Sequence, residues 1–241
     1  MKKIINVLLG SLAMISIFSS CEKETLIGEG PIVNETRPLT NFRGVSSGMP
    51  GKINFKIDPV YKVEIKAQQN ILDAMRTDII DGIIQIDFRR NIRLRHHDDI
   101  IINITGPSAE FLRVSGTGDI NVEGNVVANN MNINISGSAN VSVEKATIAD
   151  KIDARISGSG NVKITSGSAK NEELRISGSG SMDLANLTAE KGDVHISGSG
   201  NMKVNLSQKL DAKISGSGSV YYKGNPVITT SVSGSGSVRP L

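Results

Sequence analysis

The stretch ISGSGN, Ile156–Asn161, is too rich in small residues for a core strand and too short for a linker, yet it returns almost letter for letter along the C-terminal half. Aligned on the first motif glycine, the copies fall at Gly116, Gly137, Gly158, Gly178, Gly198, Gly216 and Gly234, with spacings of 21, 21, 20, 20, 18 and 18 residues. A period near 20 held over seven copies is the mark of a solenoid, in which each unit buries its apolar side only by stacking on a neighbour.

The columns around the motif say which solenoid. Just before the motif serine run Val114, Ile135, Ile156, Ile176, Ile196, Ile214 and Val232; after it run Ile120, Val141, Val162, Met182, Met202, Val220 and Val238. Each apolar column alternates with a polar one. Period two on both sides of a glycine corner predicts two short strands per repeat, with a third, more variable segment closing the circuit. In such a parallel β-helix equivalent residues lie about 4.8 Å above one another. Glycine supplies the corner's backbone angles and leaves room for the corner above, while Ser and Asn are placed to form polar ladders at the bend. A hexapeptide helix would repeat an aliphatic residue every six positions, which this chain does not do. A calcium-loaded roll needs Asp in the glycine turns, offered here only by Asp119.

Composition agrees with an all-β chain. The 241 residues include 25 Gly, no Trp and 3% aromatics, so the core must come from Ile, Val, Leu and Met. Residues 1–20 read as a lipoprotein signal: MKK is followed by an apolar run that ends at Cys21, the sole cysteine and the expected site of lipid attachment, although Phe18 stands where Leu is usual. The apolar run is short for a membrane span. Without Lys2 and Lys3 the Lys+Arg count falls from 27 to 25 against 24 Asp+Glu, so charge gives no reason to expect nucleic acid. Residues 21–40 read as a tether and first strand, 41–110 as a less regular β part of the same domain that caps the helix, with NILDAMRT a helical turn, and 111–241 as the regular coils.

NFRGVSSG, then KINFKIDPVYKVEIKAQQNILDAMRTDIIDGIIQIDF, then the repeated SGSGN resemble the "putative auto-transporter adhesin head domain", the GIN domain of Gram-negative envelope proteins. That resemblance implies a right-handed β-helix, an envelope location and an adhesin role. It supplies no ligand and no catalytic residues.

Two outward columns carry most of the chemistry. Arg113, Asn134, Arg155, Arg175, His195, Lys213 and Ser231 stand two before the motif serine; Phe111, Asn132, Asp153, Glu173, Asp193, Asp211 and Thr229 stand four before. Acid and base are neighbours on one face. Such a face either neutralises itself or binds a linear polymer, most plainly an anionic glycan, through Arg155, Arg175, His195 and Lys213. Carboxylates one coil apart would sit near the separation of a retaining glycosidase pair. No carboxyl in that column differs from its neighbours, however, and bases adjoin all of them, which argues against an enzyme. Tyr221 and Tyr222 are the nearest thing to a sugar platform.

The run FRRNIRLRHHDD, Phe88–Asp99, holds Arg89, Arg90, Arg93 and Arg95, a second place for acidic polysaccharide or lipid phosphate. His96 and His97 point to opposite faces of a strand and lack a third ligand, so no metal is expected. No P-loop, dinucleotide fingerprint or nucleophile elbow occurs, and no cofactor is implied. The expected function is a lipid-anchored, non-enzymatic binding β-helix of the outer membrane. The alternative is a scaffold that self-associates as a homo-oligomer through open helix ends, since SVRPL leaves little sequence for a cap beyond Pro240.

Overall fold

The computed structural model describes residues 24–89 and 92–241. It is 74% strand and 3% helix, a β-solenoid of about six stacked parallel turns. From Phe111 onward the stacking follows the motif. Gly116, Gly137, Gly158, Gly178, Gly198, Gly216 and Gly234 are successive register partners. Their φ angles lie between +118° and +130°, a region open in practice to glycine alone. A Cβ on Gly158 would lie 2.2 Å from the carbonyl oxygen of Gly137. That same oxygen accepts a hydrogen bond from the amide of Ser159 at 2.9 Å. The corner is therefore glycine for two reasons, the angle and the approach of the coil below.

Each turn has three faces. The first leads into the motif and the second leaves it; long strands such as Asp119–Gly137, Asn140–Gly158 and Ser181–Gly198 run from the second face across a third and back to the first. Register shifts between Ala128 and Asn130, Thr147 and Lys151, and Ala189 and Lys191 bend the chain from the third face to the first. Inward columns are sealed: Val114, Ile135, Ile156, Ile176, Ile196 and Ile214 are at most 2% exposed. At the corner after the motif the expected polar ladder is present. Asn140 donates to Asp119 Oδ1 at 2.8 and 3.0 Å, Asn161 Nδ2 to Asn140 Oδ1 at 2.8 Å, and Ser181 Oγ to Asn161 Oδ1 at 2.6 Å.

Below Phe111 the rungs leave chain order. Gly44–Ser47 and Lys52–Ile57 lie directly under the first and second faces, and Ile83–Phe88 and Ile101–Gly106 form the rung beneath them. Met75–Ile80, Lys62–Gln68 and Ile32–Arg37 then pair antiparallel and end the stack. The expected helical turn is Gln69–Ala74; Met75 already begins a strand. Three of the few aromatics gather here. Phe42 packs edge-on against Phe55 and Tyr61, with ring centroids 6.2 and 4.8 Å away, closing the base where coil geometry gives out. Glu24–Ile27 and Ile92–Arg95 form a separate two-stranded sheet.

Candidate functional site

The polar columns of the first face stack in register as the spacing predicts: Arg155, Arg175, His195, Lys213, and beside them Asp153, Glu173, Asp193, Asp211. A further column was not read from the sequence. Lys151, Asn171, Lys191 and Lys209 stand six residues before the motif serine and stack on the far side of the acids. The constant offset of six is the signal that reveals it. The acids thus lie between two basic columns.

Much of this charge is spent within the face. Arg155 grips Asp153 with two bonds, 2.8 and 2.9 Å, and reaches Glu173 at 3.3 Å. Glu173 also takes Lys151 Nζ at 2.9 Å and an ion pair from Arg175. His195 Nε2 lies 2.9 Å from Asp193, and Lys209 Nζ 2.7 Å from Asp211. Hydrogen bonds from Lys151 and Arg175 hold the Glu173 carboxyl below its ordinary range, and Lys209 does the same for Asp211. The Asp153 contact raises the Arg155 guanidinium further. Among the described residues, Lys191, Lys213 and Arg113 make no ion pair.

Concave features mark the face in several places, two of them prominent. A groove of about 450 Å³ runs over successive coils between the basic column and the corner serines: Arg175, His195 and Lys213 form one wall, Ser177, Ser197 and Ser215 the other, with the strand backbone at Ile176 and Ile196 between and their side chains turned inward. Its length follows the helix axis, because its lining residues are register partners about 4.8 Å apart. The second, of about 610 Å³, lies at the junction with the irregular rungs. Gln85, Ser46, Arg113, Asn132 and Phe111 line it, and the turn at Ile80–Asp81 flanks it. Phe111 covers Gly44, where a Cβ would come within 2.2 Å of the Phe111 carbonyl oxygen.

The other candidates stand apart. Arg93 and Arg95 are on the separate two-stranded sheet, and Arg89 follows the strand Ile83–Phe88. Arg90 and Cys21 lie outside the described residues. His97 Nδ1 is 2.7 Å from the Asp98 carbonyl oxygen. On the second face Arg239 stacks over Tyr221, 4.8 Å from its centroid, and donates to its hydroxyl at 2.7 Å, so that ring face is occupied.

No curated protein matches the chain. Solved structures do. A "putative adhesin" of Bacteroides fragilis superposes with a TM-score of 0.80 at 22% identity, covering 90% of this chain and 100% of that one. A "putative adhesin" of Parabacteroides merdae gives 0.76 at 20%, covering 90% and 99%. A "putative lipid binding protein" of Parabacteroides distasonis gives 0.74 at 22%, covering 90% and 100%. These likenesses show the shared fold. Residues 41–226 match the family described as "putative auto-transporter adhesin, head GIN domain". With most of its length so matched, the chain belongs to that family.

Proposed function

We propose that this protein is a lipid-anchored, non-enzymatic binding module of the bacterial envelope, displayed on the outer surface, that takes a linear anionic glycan along its first face. The observation that carries this reading is the axial groove. One wall offers the basic side chains of Arg175, His195 and Lys213 on successive coils, and the other offers the hydroxyls of Ser177, Ser197 and Ser215. That combination suits a sugar chain with many hydroxyls and periodic carboxylate or sulfate groups. Family membership and the adhesin names of two of the structural relatives point the same way. Cys21 would fix the base of the solenoid to the membrane.

Binding of the chain from Glu22 onward to an array of acidic and neutral polysaccharides tests the reading. Lys213 lines the groove and Lys191 does not, and neither makes an ion pair among the described residues. Lys213→Glu is expected to weaken binding of the best acidic ligand at least about tenfold, the equivalent of about 1.4 kcal/mol. Lys191→Glu, with the same change of charge, is expected to leave it within a factor of two or so. Equal losses in both would mean a diffuse charge effect, and no loss in either would remove the groove from the function.

A further inference from the structure

The first face ends at the strand Val227–Gly234, which pairs with Lys209–Gly216 on one side and with nothing on the other among the described residues. Every residue of this strand is exposed, including Ile228 at 37% and Val232 at 42%, which continue the inward columns of Leu210 and Ile214. Unpaired strand edges are ordinarily guarded by charge or proline. The neighbouring edge on the second face is: Ser237–Pro240 carries Arg239 and Pro240. The first-face edge is not. Where the rung below has Lys209, Asp211 and Lys213, this one has Val227, Thr229 and Ser231. On the first face, charge that marks successive rungs from Asp153 upward disappears at the last rung, whose edge is unpaired among the described residues.

The sequence of this edge is also its own complement when reversed. About Thr230, Ile228 corresponds to Val232 and Thr229 to Ser231. In an antiparallel pair centred there, Ile228 meets Val232 and Thr230 meets its own copy on the interior side, and Thr229 meets Ser231 on the outer side. A two-fold axis normal to the first face and midway between Thr230 and its copy satisfies both at once, as an isologous interface requires. The charged rung below would oppose its own copy across such an axis only at a distance of about three strand spacings, near 14 Å, beyond a Debye length at physiological salt.

We infer that a second copy of this chain adds to the Val227–Gly234 edge, antiparallel and centred on Thr230, closing the two open interiors against each other. Both axial grooves then lie on the same side of the dimer. The inference does not depend on what those grooves bind.

Sedimentation of the chain from Glu22 onward, which lacks Cys21, tests it together with Thr230→Cys, the only thiol in that chain. The expected results are twice the monomer mass and a covalent dimer through residue 230 under mild oxidation, since an on-axis pair in an antiparallel ladder falls within disulfide reach. Thr230→Pro, which removes a backbone donor aimed at the open edge, and Thr230→Lys are expected to give monomers with unchanged circular dichroism. A wild-type chain that stays monomeric at high concentration overturns the proposal. So does a dimer that survives both substitutions, or a Thr230→Cys chain that cross-links in cells to a different protein instead of to itself.

Discussion

Gly192 lies directly over Glu172 in an inward column whose other members on successive coils are Met131, Ile152, Leu210 and Ile228. Glu172 is 2% exposed, and neither carboxyl oxygen has a hydrogen-bond partner. Leu206 fills the place above: a Cβ on Gly192 would lie 2.7 Å from its Cδ1. Burial without a partner pushes the Glu172 carboxyl well above its ordinary value of 4.5, so it is held as the neutral acid.

The folded state therefore keeps a proton that the unfolded chain loses above that ordinary value. Stability contributed by this site is full at pH below 4.5 and falls as pH rises, by about 1.4 kcal/mol per unit, until the folded-state carboxyl itself ionises. The difference between wild-type and Glu172→Gln urea melts, taken from pH 5 upward, is expected to show this slope. Glu172→Leu should be more stable than wild type at neutral pH. A pH-independent difference would mean that the carboxyl is ionised and paired.

Corner glycines separate two costs. At Gly116 a Cβ would meet nothing within 4 Å, whereas at Gly158 it would meet the Gly137 oxygen, and the φ angles are alike at 122° and 130°. Gly116→Ala is expected to cost about 1–3 kcal/mol from backbone strain alone. Gly158→Ala adds a clash between backbones and should cost at least about 2 kcal/mol more. Equal losses in chemical denaturation would show that stacking distance does not constrain the corner.

Ion pairs of the first face contribute little to folding. Arg155 is half exposed despite its two bonds to Asp153. Arg155→Ala should cost less than about 1 kcal/mol, a loss that shrinks further in high salt. A loss of several kcal/mol, unchanged by salt, would identify the column as a structural spine.

The base of the solenoid is where size matters most. Phe42 is 1% exposed and touches both Phe55 and Tyr61. Phe42→Ala is expected to cost about 3–5 kcal/mol and lower the melting temperature of the whole chain. Loss confined to the N-terminal rungs, visible as early proteolysis before a separate main transition, would indicate that the regular coils fold without their cap.

What the sequence disclosed follows from what repeats. The regular coils were legible because Ile156 and its column mates recur at a fixed offset from a glycine, and each offset becomes a stack. The order of the lower rungs was not, because Ile83–Phe88 lies under Gly44–Ser47 while coming later in the chain, and no local pattern records that crossing. Glu172 was hidden in the polar string Asn171–Glu173, although counting back two from Leu174 places it inside. The axial groove was half legible: Arg175, His195 and Lys213 were picked out, but the corner serines were read only as ladder residues.

The placement of the first face on the cell decides most. Intact cells treated with protease, probed with an antibody to residues 24–241 beside a periplasmic control protein, give the direct measurement. Loss of the signal while the control survives is the result expected of a surface-displayed binding module. Loss only after lysis would put the groove inside the envelope and contradict the adhesive role.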